Sequence, residues 1–600
     1  MKSKVYYLSK ILSGILLLSV CACSDFLEEV NWSSQTADVY FQTKSGYESL
    51  INGCYTNLRS IYNSKDYIIV TQLGTDIGTQ TYSGNVTPIN QYTTTFDSNQ
   101  GNIFAYWSAL YSALKNANAA IDRAGKVILK ENDPDGIEPA TLEQRIAEAK
   151  TLRALYLFEI VRNWGQAPLL VNEPVAPEKS AQLNSGEEFY DRILKDLNDA
   201  ISVLPIRQTG TNYGRVSGAM AQHLRALVYL TRGYQSYADA NDFTNAVNDA
   251  KNVIENSGHT LLDDYQSVHA QSNETNSEII FSIGFSSAAN HNVNFYPKLY
   301  LFSYREGWIG LSKDSYYSND DATLLPTKYM YLLADWHKDR RPEVTFMSPV
   351  NGDPVTSTDG RNTGKNWFQC TMPISGRFAL GDTVIYFPVP TDPHHKYWTD
   401  EDKQTAPYVV YNFPTGDPSD MSTDEYFRNG YQSTSAQTRC WLPVWKFKDK
   451  NTTYLENNNS TGTRDIYLYR LAETYLIAAE ASVMKNDNAN ALFYLNKVRQ
   501  RAEKIPGSLI KPEGSTVSID DILNERAIEL FGEAPRWNDL QRTGKLNERV
   551  LKYNWDVTNI TGGIPTQLTE KTTKFQLRPI PLQWLNSLSN GQELGNNPGW

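Results

Sequence analysis

Residues 470–502, RLAETYLIAAEASVMKNDNANALFYLNKVRQRA, carry the clearest structural pattern in the chain. Apolar residues recur at every third or fourth position in both halves, which predicts two amphipathic helices. The apolar positions are Leu471, Tyr475, Ala478 and Ala481 in the first half, and Ala491, Leu495, Val498 and Ala502 in the second. Asn486 and Asp487 stand between the halves and indicate a turn. The segment therefore predicts a helical hairpin.

Two small residues in this hairpin predict how its helices pack. Ala479 and Ala491 stand twelve positions apart across the turn, which is the spacing of the small residues in tetratricopeptide repeats. Small side chains at these positions allow the paired helices to approach closely. Residues 42–256 return to the same helical pattern. We therefore expect a mostly α fold, built as a tetratricopeptide-like scaffold of helical hairpins.

The chain between these two helical parts has a different composition. Residues 281–463 contain almost half of the 27 prolines, together with many aromatic, Asn, Asp, Gly and Ser residues. Proline at this density interrupts helices, and loops on a rigid scaffold often carry binding residues. We therefore expect a large, irregular, loop-rich insertion that binds a ligand. The predicted regions are 1–22 (lipoprotein signal peptide), 23–280 (N-terminal helical region), 281–463 (loop-rich aromatic region) and 464–600 (C-terminal region with repeat-like helices).

The first residues predict secretion and a lipid anchor. Three lysines precede an apolar run at residues 11–20, which is too short to span a membrane and is typical of a secretory signal. Val20-Cys21-Ala22-Cys23 resembles a bacterial lipobox, in which Cys23 becomes the lipid-modified first residue. Cleavage of an ordinary signal peptide near the same place is the alternative.

Composition argues against several classes of function. With 56 Lys and Arg against 67 Asp and Glu, the formal charge is −11, whereas nucleic-acid binding needs a basic face. Cys54, Cys370 and Cys440 have no Cys or His at ligand spacing, so we expect buried thiols and no metal site. Phosphate-binding, dinucleotide-binding and nucleophile-elbow motifs are absent from the sequence. We expect no cofactor and no enzymatic activity.

Several ordered segments together resemble the SusD/RagB family of outer-membrane lipoproteins. They are CSDFLE (23–28), RIAEAKTLRALYLFEIVRNWGQAP (145–168), GRVSGAMAQHLRALVYLTRG (214–233), SEIIF (277–281), the hairpin at 470–502, ILNERAIELFGEAPRWNDLQRTGKL (522–546), PIP (579–581) and NPGW (597–600). The sequence has Asn596 and Trp600 where the family usually has Gln and Tyr. The resemblance extends over nearly the whole chain.

The resemblance implies a lipid-anchored protein at the outer membrane, exposed on the cell surface. Such a protein captures an oligosaccharide or polysaccharide and passes it to a SusC-like TonB-dependent transporter. Capture of oligopeptides, as in the RagB branch, is the alternative. A third possibility is a protein-interaction scaffold without a small ligand, and an enzyme is the fourth.

Many charged residues on the predicted helices have a structural interpretation. We expect inter-helix or capping pairs from Glu148, Arg153, Glu159, Glu473, Glu480 and Arg499. A denser cluster comprises Glu525, Arg526, Glu529, Arg536, Trp537 and Asp539. Two carboxylates flanking a sugar bond would suggest a glycosidase. We favour a buried ion-pair network, because the cluster lies in the segment that resembles the family's structural signature.

The resemblance also places the ligand site, by region only. In the starch-binding member of the family, the site draws on a loop that corresponds to residues 74–102 and on a segment that corresponds to residues 290–320. The candidate ligand-binding residues are Asp76, Tyr82, Asn90, Tyr92, Tyr304, Arg305, Trp308, Tyr316 and Tyr317. For Trp308 we leave open whether the ring is a ligand platform or packs internally. Trp367, Tyr397 and Trp398 are weaker candidates, and Trp107 is expected in the core.

Overall fold

The computed structural model describes residues 37–600, except for 82–85, 175, 177, 287, 289–293, 295, 301–309, 312–321, 350–365, 371, 431–439, 450–452, 455–459 and 560–563. The lipobox and Cys23 lie outside the described residues. Within this part of the chain, no helix is both long and apolar enough to cross a membrane.

The N-terminal part is helical. Its helices are α1 (Ala37–Tyr40), α2 (Lys44–Tyr62), α3 (Lys65–Gln72), α4 (Thr87–Gln91), α5 (Gly101–Arg123), α6 (Pro139–Trp164), α7 (Gly186–Ile201), α8 (Gly218–Arg232), α9 (Asp242–Asn256) and α10 (Tyr265–Val268). Strand β1 (Gly78–Gln80) lies between α3 and α4, and β2 (Ile279–Ile283) follows α10. Helix α7 shows how the sequence starts a helix, because Ser185 and Glu188 form a reciprocal capping box.

The middle part consists of short elements. They are β3 (Leu324–Pro326), α11 (Lys328–Leu332), α12 (Arg341–Thr345), β4 (Trp367–Gln369), β5 (Thr383–Tyr386), α13 (Asp400–Thr405), β6 (Val409–Val410), α14 (Glu425–Gly430), β7 (Thr453–Tyr454) and β8 (Ser460–Thr461). Strands β4, β5 and β6 form a small sheet in that order, in which β4 and β5 are antiparallel and β5 and β6 are parallel.

The C-terminal part is again helical. Strand β9 (Ile466–Arg470) leads directly into α15 (Leu471–Met484), which is followed by α16 (Asn488–Ala502), α17 (Ile519–Glu529), α18 (Arg536–Arg542), α19 (Leu546–Tyr553), α20 (Trp555–Thr558), α21 (Leu582–Leu585) and α22 (Gly591–Leu594). The predicted hairpin at 470–502 is α15 and α16, with Asn486 in the left-handed conformation at the turn. Ala479 and Ala491 are fully buried in it.

The long helices pack in chain order into one layered array. Helix α5 packs on both α2 and α6, α6 on α7, α7 on α8, and α8 on α9. Helix α9 then packs on α15, which also contacts α16 and α17, so the two helical halves join directly. Strand β2 pairs antiparallel with β9 and makes a second connection between the halves. The expected mostly α scaffold of helical hairpins is confirmed.

Buried ion pairs hold this array together. Arg470, 1 % exposed, contacts Glu278, Glu529 and Glu533, while Arg341 contacts Glu525 and Glu529. Burial alone would raise the pKa of Glu529, but the neighbouring guanidinium groups lower it to about 2. The other expected pairs form as Glu148 with Arg145 and Arg215, Arg153 with Asp196, Glu473 with Arg526, Glu480 with Arg542, and Arg499 with Glu525. Glu159 differs, because its ion pair with Arg162 lies within α6, and it joins other helices by accepting hydrogen bonds from Tyr62 and Tyr106. The structural interpretation of the charged clusters is confirmed.

Two smaller expectations about buried residues are also confirmed. Trp107 is 1 % exposed and lies between the rings of Trp164 and Trp584. The thiols of Cys54, Cys370 and Cys440 are free and buried.

Candidate functional site

A cleft of about 850 Å³ opens beside the start of α3 and α5. Its described lining is Lys65, Ile69, Thr81, Val86, Pro88, Thr95, Asn99, Gln100, Gly101, Asn102, Ala322 and Thr323. Most of this lining belongs to the loop region at residues 74–102. Ala322 and Thr323 come two and three positions after the end of the segment at residues 290–320. The described lining therefore combines residues of the first region proposed for ligand binding with two residues that follow the second region in the chain.

Strand pairing joins the first region to the residues that follow the second one. Strand β1 pairs antiparallel with β3, with Thr79 opposite Leu325. The Thr81 hydroxyl donates a hydrogen bond of 2.8 Å to the carbonyl oxygen of Ala322, and the Thr327 hydroxyl donates one of 2.7 Å to the carbonyl oxygen of Asp76. The strand pairing and these two hydrogen bonds therefore connect one wall of the cleft to the other.

The cleft surface is rich in amide and hydroxyl groups. Asn102 donates from Nδ2 to Asp66 at 2.6 Å, and Gln100 donates from Nε2 to the carbonyl oxygen of Thr95 at 3.2 Å. Asn99 and Thr95 are exposed. Amides and hydroxyls both donate and accept hydrogen bonds, as the hydroxyl groups of a sugar require. The volume is within the usual range for pockets that hold small ligands.

Asp76 anchors the loop that forms the Thr81 side of the cleft. The Asp76 carboxylate accepts hydrogen bonds from Arg536 at 2.8 and 2.7 Å and from Arg549 at 2.7 Å. Burial would raise the pKa of this carboxyl, but the two guanidinium groups outweigh burial and lower it to about 2. The loop is therefore tied to α18 and α19.

Asn90 and Tyr92 fix the same loop from the inside. Asn90 Oδ1 accepts from the backbone N–H groups of Gly74 at 3.0 Å and Gln80 at 3.1 Å, while its Nδ2 donates to Asp556 at 2.8 Å. The Tyr92 hydroxyl donates to the carbonyl oxygen of Gly74 at 2.6 Å, and burial raises the pKa of Tyr92 to about 12. Gly74 has a φ of +64°, and a Cβ there would lie 2.7 Å from the Asn90 carbonyl oxygen.

These contacts correct three of the predicted ligand contacts. Asp76, Asn90 and Tyr92 are all 0 % exposed, and their polar groups bond to other parts of the chain. A ligand in the cleft cannot reach them in this structure. They position the wall of the cleft and do not form its surface.

The other six predicted ligand residues lie outside the described residues: Tyr82, Tyr304, Arg305, Trp308, Tyr316 and Tyr317. In the sequence, these residues lie near residues that line the cleft. Tyr82 directly follows the lining residue Thr81, and the segment with Trp308 precedes the lining residue Ala322. Among the described lining residues there is no aromatic ring.

The three weaker aromatic candidates lie elsewhere, around the β4–β5–β6 sheet. Tyr397 is 65 % exposed, and Trp398 is partly buried with the Lys396 ammonium 4.5 Å from its ring centroid. Trp367 stands opposite Tyr386 in the sheet. None of these residues belongs to the described lining of the cleft.

The sequence did not single out several residues that line the cleft. They include Lys65, Thr95, Asn99, Gln100 and Asn102. Lys65 is the first residue of α3 and Asn102 the second residue of α5, so their place in the first turn of a helix was the available signal. No group of three potential metal ligands occurs among the residues that the structure describes.

Comparisons with known proteins support the sequence resemblance. Residues 386–600 match the SusD_RagB model, described as the SusD family, and residues 25–230 match a second model, described as "Starch-binding associating with outer membrane". Together the two matches span more than two thirds of the chain. The chain belongs to the SusD/RagB family. The predicted family is thereby confirmed.

Individual SusD-like proteins are similar along most of their length. A SusD-like protein P25 of Formosa agariphila is 25 % identical over 95 % of both chains. The starch-binding protein SusD of Bacteroides thetaiotaomicron is 23 % identical over 77 % of this chain and 73 % of its own. A solved structure of a laminarin-binding SusD-like protein has a TM-score of 0.63 and 20 % identity, covering 93 % of this chain and all of that one. This structural likeness shows the shared fold.

Proposed function

We propose that this SusD-family protein captures an oligosaccharide or polysaccharide in the cleft beside α3 and α5. The cleft geometry is the observation that carries the proposal. It offers about 850 Å³, amide and hydroxyl groups on its surface, and walls fixed by strand pairing and by the buried Asp76 ion pairs. Relatives described as starch-binding and laminarin-binding support a glycan as the ligand.

Aromatic rings would complete the proposed site. A sugar ring has an apolar C–H face and a rim of hydroxyl groups, so Tyr and Trp platforms combine well with the amides of the cleft. Tyr82, Tyr304, Trp308, Tyr316 and Tyr317 belong to the segments that adjoin the lining in the chain, and Arg305 would add hydrogen-bond donors. We retain these six residues as the proposed ligand contacts.

The bound glycan would pass to a SusC-like TonB-dependent transporter. The lipobox would anchor the protein to the outer membrane through Cys23 and keep the cleft at the cell surface. The family model described as "associating with outer membrane" supports this location.

Capture needs no chemistry on the sugar. A glycosidase would place two carboxyl groups on either side of the scissile bond. Among the described lining residues there is no Asp or Glu, and the clustered carboxylates Glu525, Glu529 and Asp539 are buried against arginines.

Isothermal titration with a panel of polysaccharides and oligopeptides tests the proposal. We expect a glycan to bind and the Trp308→Ala variant to bind it about 5- to 150-fold more weakly, because stacking on an aromatic ring contributes on the order of 1–3 kcal/mol. The melting temperature should stay nearly unchanged if the ring is a platform.

Binding of peptides and of no glycan would contradict the carbohydrate proposal and favour the RagB-type alternative. A large loss of thermal stability in Trp308→Ala would show that this ring packs in the core, with Trp107→Ala as the reference for a buried tryptophan.

A further inference from the structure

Lys65 carries a positive charge at the proposed glycan site. It is the first residue of α3, is partly buried and lines the cleft. Among the described residues, no carboxylate oxygen lies within 4.0 Å of its ammonium group. Among the described residues, this lysine beside the cleft therefore has no ionic partner and is available to a ligand.

The carboxylates of Asp66 and Asp97, which neighbour lining residues in the chain, accept hydrogen bonds from other groups. Asp66 Oδ1 accepts the hydrogen bond from Asn102, and the Ser64 hydroxyl donates to Asp66 Oδ2 at 3.4 Å. Asp97 Oδ1 accepts from the backbone N–H of Asn99 at 2.8 Å. The described lining therefore contains one cation and no anion, although the whole chain has a net charge of −11.

The start of α5 adds to the positive character of the cleft. Gly101 and Asn102, its first two residues, line the cleft, and the N-cap residue Gln100 makes no side-chain hydrogen bond to the first turn. The N–H groups at the start of a helix have no acceptor within the helix, and the aligned peptide dipoles place partial positive charge there. This helix end and Lys65 line the same cavity.

From this charge arrangement we infer that the captured glycan is acidic, with a uronate carboxylate or a sulfate ester that binds beside Lys65. The inference rests on the proposed function of the cleft and adds the chemical class of its ligand. Both groups carry one negative charge and several acceptor oxygens, so both complement an ammonium and free backbone N–H groups. With a neutral glycan, the Lys65 ammonium would stay hydrated and gain no ionic partner.

The test compares three classes of oligosaccharide of equal length by isothermal titration: oligouronates, sulfated galactans and neutral laminari-oligosaccharides. We expect the wild-type protein to prefer one acidic class, and that class identifies the group. Lys65→Gln should weaken this binding about tenfold, and 0.5 M NaCl should weaken wild-type binding similarly, because both reduce charge attraction. Lys65→Arg should retain the affinity, because it retains the charge.

Lys115→Gln is the matched control, because Lys115 is an exposed lysine on α5 outside the cleft lining. Its affinity should equal that of the wild type. Equal acidic-oligosaccharide affinities for wild type and Lys65→Gln would overturn the inference. Preference for the neutral class would also overturn it, while leaving glycan capture intact. Failure of all three classes and of neutral polysaccharides to bind would contradict the proposed function itself.

Discussion

Asp76 contributes to the cleft through two buried ion pairs and not through the ligand. Its carboxylate receives Arg536 from α18 and Arg549 from α19, and all three side chains are at most 2 % exposed. In such surroundings each charge depends on its partners, since removal of one leaves the others desolvated and unpaired. The loop that bears Thr81 is thereby fixed to the C-terminal helices.

Replacement of Asp76 by Asn should destabilise the whole protein. The amide keeps the size of the side chain but leaves two buried guanidinium groups without a counter-charge, so we expect the free energy of unfolding to fall by about 3–5 kcal/mol. Urea denaturation followed by circular dichroism measures this loss. Asp263→Asn, at an exposed aspartate, is the control and should change stability by less than about 0.5 kcal/mol. A similar, small effect for both variants would contradict the role given to Asp76.

The same carboxylates predict the response to acid. In the folded protein the pKa values of Asp76 and Glu529 are held at about 2, below the ordinary values of 3.8 and 4.5. A group with a depressed folded pKa stabilises the native state above its unfolded pKa, and this stability is lost as the pH falls through the folded pKa. We therefore expect the urea midpoint to be steady above about pH 5 and to fall between about pH 4.5 and 2.

The Asp76→Asn variant should show a shallower decline over this range, because one of the titrating carboxylates is gone. A urea midpoint that does not change from pH 5 to pH 2 would show that these ion pairs do not stabilise the fold.

The role of Asp76 could not be predicted from the sequence. Helical periodicity reports neighbours three or four positions away, whereas the partners of Asp76 are 460 and 473 residues away along the chain. The sequence indicated that Arg536 belongs to a buried ion-pair network, and that prediction was correct. It contained no signal for which distant carboxylate completes the network, so Asp76 was assigned to the ligand.

At the scale of elements, close helix packing depends on small residues in the α15–α16 hairpin. Ala479 and Ala491 are both 0 % exposed and face the neighbouring helices. This feature was predicted from the sequence, because the pattern repeats within 33 residues and needs no knowledge of distant contacts. The short strands β1 and β3 were not predicted, since three-residue strands leave almost no periodic pattern.

Replacement of Ala491 by Leu should destabilise the hairpin by overpacking. The added carbon atoms have no space between α15 and α16, and we expect a loss of about 1–3 kcal/mol in the free energy of unfolding. Ala489→Leu is the control, because Ala489 is exposed on the same helix and its change in stability should be small. Chemical denaturation of the two variants provides the comparison, and equal stabilities would argue against close packing at Ala491.

For the whole molecule, the two helical halves form a single support for one cleft. Strands β2 and β9, helices α9 and α15, and the ion pairs of Asp76 all connect residues from the two ends of the chain. Strand pairing between β1 and β3 joins the first proposed loop region to the residues that follow the second one in the chain. The resemblance proposed the region of the site, which stays a prediction, whereas the contacts of Asp76, Asn90 and Tyr92 depend on long-range geometry that the sequence does not reveal.

A steric block at Gly101 shows whether this cleft binds the glycan. Gly101 lines the cleft, and a Cβ built there meets no atom within 4 Å, so Gly101→Phe should fill the cavity without disturbing α5. Gly125→Phe is the control, since Gly125 is exposed, has equal space and lies outside the cleft lining.

The measurement is the affinity of the wild type and both variants for the glycan identified in the polysaccharide panel, by isothermal titration. We predict that Gly101→Phe loses binding by at least about tenfold with an unchanged melting temperature, while Gly125→Phe binds like the wild type. Unchanged glycan affinity in a folded Gly101→Phe variant would contradict glycan binding in this cleft, because the ligand would then bind elsewhere on the protein.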